Sequence, residues 1–192
     1  PSAILKRYAD SYNSIQRHLF HDLQKNPDLN SLKRQYIAKF QITGRQFNAL
    51  RVSLDGKTAS IKEAREEHIA QLKEKITSLQ KKLPKIKSKE IRHHKTRRLI
   101  SLQTKREVLQ NEHKEGKVSL CFGSKKLFHA QFHLEENGYS SLQDWKEEWV
   151  ATRNSEFFCL GSKDETSGNQ TCVLLLHEDK KMSLRLRLPN AL

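Results

Sequence analysis

The chain has 192 residues, with 36 Lys and Arg against 22 Asp and Glu, a formal charge of +14, and 35% hydrophobic against 30% charged residues. At roughly 150 residues per domain this leaves room for one large or two small domains and excludes a large multi-domain enzyme. Recurring Ile, Leu and Val with only 7 Gly and 4 Pro exclude a disordered chain, and the absence of any apolar run near the roughly 18 residues of a membrane span, or of a signal-peptide core at the start, predicts a cytoplasmic protein without a membrane partner.

In chain order, Leu5, Tyr8, Tyr12, Ile15, Leu19 and Leu23 define the stripe of a first helix that stops before Asn26-Pro27. A second helix is predicted over residues 31–41, with Leu32, Tyr36, Ile37 and Phe40 inward. Thr43 and Gln46 form a capping box, flanked by Ile42 and Phe47 as a hydrophobic staple, and the third helix is expected to end at Gly56. Ser60 and Glu63 form another capping box. They open a helix whose Ile69, Leu72, Ile76, Leu79 and Leu83 repeat as a coiled-coil seam. Pro84 breaks it, and a last helix over residues 88–113, with Ile91, Leu102 and Val108/Leu109 as its seam, returns antiparallel.

After Gly116 the period changes from 3.6 to 2. Val118, Leu120 and Phe122 alternate, the Gly123 to Lys126 stretch turns, and Phe128, Ala130, Phe132 and Leu134 alternate again. Ser140 and Gln143 cap a helix that aligns Leu142, Trp145 and Trp149. Strands follow over residues 157–160, 171–177 and 182–188, with a turn at residues 178–181. In the last strand Met182, Leu184, Leu186 and Leu188 form a packed face, and Ser183, Arg185 and Arg187 an open one. The fold expected is α+β: an N-terminal helical bundle with a long antiparallel helical hairpin, residues 1–116, then a small antiparallel β-barrel or sandwich with one inserted helix, residues 117–192.

The charge is unevenly placed. Residues 1–116 hold 26 basic and 12 acidic side chains, residues 117–192 hold 10 of each, and residues 81–106 alone carry 11 basic residues against Glu90. That density predicts a polyanion partner. Catalytic patterns are absent: His129 and His133 sit in a period-2 segment, Asp164-Glu165 lies in a Gly/Ser-rich loop, Asp144, Glu147 and Glu148 share an exposed helix face, and Gly123-Ser-Lys-Lys126 lacks the upstream glycine of a phosphate loop. Cys121, Cys159 and Cys172 form no C-x-x-C pair and read as buried thiols. The second and third helices also suit a helix-turn-helix DNA-binding regulator, with Ile37, Phe40, Ile42, Phe47 and Leu50 as core and Arg45, Gln46, Asn48 and Arg51 reading a groove. A coiled-coil interaction module built on residues 69–83 is a third reading.

The stretches Ile42-Thr-Gly-Arg-Gln-Phe-Asn-Ala49, Leu120-Cys-Phe-Gly-Ser-Lys-Lys-Leu-Phe128, the Asp144-Trp to Trp149 helix with Arg153, and Leu160-Gly-Ser-Lys-Asp-Glu-Thr-Ser-Gly-Asn-Gln-Thr-Cys172 together resemble TnpB/OrfB-like proteins, transposon-encoded RNA-guided DNA endonucleases related to the type V CRISPR effectors. The resemblance implies that the helices are a recognition region and the strands part of a wedge domain, gripping guide RNA and its duplex with target DNA. The family's magnesium-binding nuclease and zinc ribbon lie in a later region, so this chain is expected to be the N-terminal portion of a longer protein, with no catalytic residue and no metal ligand of its own. An A-form heteroduplex is held by backbone charge and shape while base pairing reads sequence. The expected backbone contacts are Lys85, Lys87, Lys89, Arg92, Lys95, Arg97, Arg98, Lys105 and Arg106. Arg45, Gln46, Asn48 and Arg51 are expected on the duplex or its flanking motif, and Lys125, Lys126, Arg185 and Arg187 on RNA.

Overall fold

The computed structural model describes residues 2–25, 27–161, 169 and 171–190. Its elements are α1 (Ser2–Leu23), α2 (Leu29–Phe40), α3 (Gly44–Lys82), a 3-10 turn (Leu83–Lys85), α4 (Lys89–Lys114), α5 (Lys125–Ala130), a second 3-10 turn (Glu135–Asn137), α6 (Leu142–Arg153), β1 (Cys172–Leu176) and β2 (Met182–Leu186). The broad α+β class holds, with helix dominant and the strands forming one antiparallel pair. The expected five-stranded barrel or sandwich is not what the described residues form. Compactness also divides the chain differently from the change of period at Gly116: one unit is Pro1–Asp55 with Cys121–Leu192, the other Gly56–Leu120.

In the first unit, α1 buries Tyr8, Ala9, Tyr12, Ile15 and Leu19 at helical spacing, while Leu5, expected on the same stripe, remains exposed. Asn13 and Gln16 lie on that buried face and need partners there. The Asn13 amide donates to the Ala9 and Glu156 carbonyls at 2.8 and 2.5 Å, and that of Gln16 to Ser53 Oγ at 3.0 Å. Asp28 caps α2 by accepting from the Ser31 N–H at 2.9 Å. Gln41 then takes a left-handed conformation, φ 51°, which turns the chain into α3. The Thr43/Gln46 capping box forms in both directions, at 2.8 and 3.2 Å, and Ile42 and Phe47 are buried on either side of it. Phe47, Leu50 and Leu54 complete this core with Leu19, and each such side chain contributes roughly 1.5–3 kcal/mol by burial.

Residues 117–134 correct the expected strands. Ser124 accepts from the Leu127 N–H at 3.3 Å and starts α5, so the inward residues are Leu127, Ala130 and Leu134 at 3-4 spacing; Phe128 and Phe132, from the alternating set, are exposed. Leu127, Ala130 and Trp145 form a small core with Leu134, Tyr139 and Trp149 against it, and the Trp145 indole N–H donates to the Leu127 carbonyl at 2.7 Å. Ser141, not Ser140, caps α6 by accepting from the Asp144 N–H at 3.1 Å. The Gly123 to Lys126 block thereby gains a structural reason: Gly123 has φ +105°, and a Cβ there would stand 3.2 Å from the Trp149 ring and 3.3 Å from Arg153. No strand forms over residues 157–160, although Phe157 packs on Tyr8 with ring centroids 4.7 Å apart. In the hairpin, Leu174 pairs with Leu184 and Leu176 with Met182. The face expected to be packed is open at its turn end, with Leu176 74% and Met182 70% exposed, while Leu186 and Leu188 are half-buried.

The second unit is an antiparallel helical hairpin. Helix α3 runs straight through Gly56, where the helix was expected to stop, and the Ser60/Glu63 capping box does not start a helix. Gly56 is tolerated because an interior glycine costs a helix only about 1 kcal/mol relative to Ala. Antiparallel pairing is fixed at both ends. Pro84 lies in the 3-10 turn and Ser88 caps α4, accepting from the Ile91 N–H at 3.4 Å; at the far end Arg65 meets Glu112 at 3.2 Å and donates to the Lys117 carbonyl at 2.7 Å. Leu72 and Ile76 are buried in the seam. Helix α4 places Leu99, Leu102, Arg106 and Leu109 half-buried, spaced as a heptad, and leaves Ile91 and Val108, expected inward, more than half exposed.

Candidate nucleic-acid interface

The hairpin unit carries the densest charge. Lys81, Lys82, Lys85, Lys87, Lys89, Arg92, Lys95, Arg97, Arg98, Lys105 and Arg106 run from the end of α3 through the connection and along α4, and none forms an ion pair with a described acidic residue. Helices of ordinary composition intersperse Glu at i,i+4 from Lys or Arg and neutralise themselves. Here the charge remains available. Lys87, Lys89, Arg92, Arg97, Arg98 and Lys105 are exposed, whereas Lys95 and Arg106 are half-buried. Arg92 reaches back to the connection, donating to the Ile86 carbonyl from Nε at 3.1 Å and from an amino nitrogen at 2.5 Å, so it also fixes the turn. Arg106 Nε is buried without a hydrogen-bond partner.

Part of this charge is concave. Lys75, Lys82, Lys85, Lys95 and Arg98 line an open cleft of about 550 Å³ whose remaining walls are Ser78, Leu79, Ile86 and Leu102. Lys75 and Lys82 are absent from the sequence-derived contacts because they lie on the seam helix, outside or at the margin of the basic run. Their signal was present. They stand seven residues apart, three or four from Leu79, and so share its side of the helix.

Gln46 does not fit the groove-reading set. Gln46 is 3% exposed; its oxygen accepts from the Thr43 N–H in the capping box, and its amide donates to the Arg187 carbonyl at 3.0 Å. A residue held on both sides has nothing left to offer a base. Arg51 pairs with Asp55 at 2.6 Å, Arg45 and Asn48 are half-buried, and the turn itself is covered, with the Gln41 carbonyl accepting from the Asn190 N–H at 3.1 Å. Of the four expected readers, Gln46 and Arg51 are thus held by neighbours in the chain. The seam over residues 69–83, expected as an association surface, is occupied within the chain at Leu72 and Ile76.

Lys125 and Lys126 stand in the first turn of α5 and are exposed, as are Arg185 and Arg187 at β2 and just beyond it. These four belong to the other unit from the hairpin. His129 and His133 are exposed, with His133 Nδ1 3.6 Å from Glu136. Asp164 and Glu165 lie outside the described residues, as does most of the Gly161 to Gln170 stretch. The three cysteines are half-buried and unpaired; burial, then the neighbouring Cys172, pushes the Cys159 thiol up to about 11. Among the described residues no group of three His, Cys, Asp or Glu is placed to hold a metal. No helix among them is long and apolar enough to cross a membrane.

Comparison with protein-family models, with curated proteins and with solved structures finds no match for this chain.

Proposed function

We propose that the chain binds nucleic acid through its helical hairpin, which grips the phosphate backbone of an A-form duplex. The carrying observation is the set of eleven cations between Lys81 and Arg106 without an acidic partner, on a hairpin whose seam is already filled. Unpaired charge at this density gains most from an anion lattice, because neutralising phosphates releases condensed counterions. The cations stand on several sides of α4, which suits contact with phosphates across a groove better than a reading helix with one ordered face. The TnpB/OrfB-like resemblance supplies the finer reading. The duplex is guide RNA paired with target DNA, the hairpin belongs to the recognition region, and Lys125, Lys126, Arg185 and Arg187 add RNA contacts from a wedge-like part.

The test is affinity of the 192-residue chain for an RNA duplex, an RNA–DNA hybrid and a B-form DNA duplex of equal length, followed across salt. Preference for the two A-form ligands, with a fall of roughly 1,000-fold between 50 and 200 mM salt for six or more phosphates, is expected. Equal affinity for B-form DNA or a flat salt response contradicts the proposal.

A further inference from the structure

We infer that the cleft between the helices of the hairpin is a separate binding site for a nucleoside polyphosphate, with its phosphates on the lysines and its base on the apolar floor. The inference deepens the hairpin's nucleic-acid reading and rests on it only where the nucleotide is the end of a strand.

The cationic residues of the hairpin fall into two sets of different shape. Lys87, Lys89 and Arg97 are exposed and lie outside the lining of the cleft, as a surface for a passing backbone requires. Lys75, Lys82, Lys85, Lys95 and Arg98 instead converge on one concave space of about 550 Å³, within the roughly 300–1,000 Å³ of small-ligand sites. Five like charges around one cleft repel each other until an anion enters, and a recess of one sign focuses its field on that anion. No carboxylate lines the cleft, so the charge has no internal counter-ion and no hard-metal ligand. A ligand with a single charge would leave most of it unmatched. A chain of phosphates matches it, with Arg98 able to fork onto two oxygens of one phosphate and each lysine acting as a point charge.

The floor decides against inorganic polyphosphate. Leu79, Ile86 and Leu102 give the cleft an apolar patch that phosphates cannot use and the face of a base can. No carboxamide or carboxylate lines it, and Ser78 is the one lining side chain with an acceptor atom. The site therefore distinguishes the number of phosphates and the presence of a base, not the identity of that base. Two sources offer this chemistry: a free nucleoside triphosphate and the 5′-triphosphate end of an RNA strand.

The experiment measures binding of the full chain to an RNA hairpin carrying a 5′-triphosphate, the same hairpin carrying a 5′-hydroxyl, ATP, GTP, and inorganic triphosphate. A strand end as ligand gives about tenfold tighter binding of the triphosphate hairpin over the hydroxyl form. A free nucleotide as ligand gives saturable binding of ATP and GTP alike, tighter than inorganic triphosphate, with no preference between the two RNA ends. Either preference should vanish in Lys82→Ala/Lys95→Ala/Arg98→Ala and survive in Lys87→Ala/Lys89→Ala/Arg97→Ala, which removes the same charge from outside the cleft. Retained helical circular dichroism in both variants excludes unfolding as the cause. The site is overturned if neither RNA end nor nucleotide is preferred, or if the two variants lose the preference equally. Salt-dependent duplex binding without any phosphate-end or nucleotide preference would sink the cleft alone, and nucleotide binding without duplex binding would sink the interface alone.

Discussion

The two units use polar side chains in opposite ways. In the unit of Pro1–Asp55 with Cys121–Leu192, two groups that read from sequence as free to bind are held internally: Gln46 between the capping box and the Arg187 carbonyl, and Arg51 on Asp55. In Gly56–Leu120 the one strongly buried cation, Arg65, is paired with Glu112, and the cations from Lys81 to Arg106 have no acidic partner. The lesson is that a polar side chain signals binding by what remains unsatisfied after folding, not by its type. Where neighbours answer a polar group, it is a fastening; where a run of like charge has none, it is left to solvent and, on our proposal, to phosphates.

The largest expected effect breaks or keeps this contrast directly. Replacing Lys87, Lys89, Arg97 and Lys105 by Ala should lower affinity for an A-form duplex by about 100-fold or more at low salt, with thermal stability unchanged. The same number of alanines at Lys125, Lys126, Arg185 and Arg187 should cost less than about tenfold, because residues 117–192 are charge-balanced, 10 basic against 10 acidic. Fluorescence anisotropy with labelled RNA–DNA hybrid measures both.

Next comes Gly123→Ala, expected to destabilise by about 2–4 kcal/mol in denaturant unfolding, since it combines a left-handed φ of +105° with a Cβ pressed against Trp149 and Arg153. A neutral outcome would mean that the approach of Trp149 and Arg153 does not constrain this position.

The pH response follows. Burial pushes Cys159 from its ordinary 9.0 up to about 11, and burial, then Cys159, pushes Tyr8 from 10.0 up to about 12. Well below 9.0 both groups are protonated in folded and unfolded chains and contribute no slope. Between 9.0 and about 11 the unfolded thiol ionises while the folded one does not, so stability falls as pH rises. Cys159→Ser should flatten the fall in that window, read as the denaturation midpoint against pH. Tyr8→Phe should act only at the more alkaline end.

The smallest effect is Gly56→Ala, expected to stabilise by about 0.5–1 kcal/mol, because the position is mid-helix and a Cβ there meets nothing within 4 Å. Destabilisation would mean that the helix stops there, as the sequence pattern suggested.

Much of the hairpin was legible because its signals are local and redundant: the seam repeats at heptad spacing, Pro84 interrupts it, Ser88 caps the return and Gly116 follows its end with φ +67°. The β1–β2 turn was legible for the same reason. Residues 125–134 were not, because Leu127, Ala130 and Leu134 at 3-4 spacing lie interleaved with Phe128, Ala130, Phe132 and Leu134 at spacing two. A short apolar run cannot decide between them by periodicity. Ser124 as a cap was the deciding signal. Gln46 held an internal contradiction, since the third residue of a capping box is committed to the backbone and cannot also read a groove. The partner of its amide, the Arg187 carbonyl, lies 141 residues away, and no local pattern announces it.

The central claim is that the cations of the hairpin make phosphate contacts. Its most direct test is the slope of log K against log salt for an RNA–DNA hybrid, compared between the native chain and Lys87→Ala/Lys89→Ala/Arg97→Ala. Each lost phosphate contact removes roughly 0.7–0.9 from the slope, so a reduction of about 2–3 is predicted. An unchanged slope, with weaker binding or without it, would contradict the account.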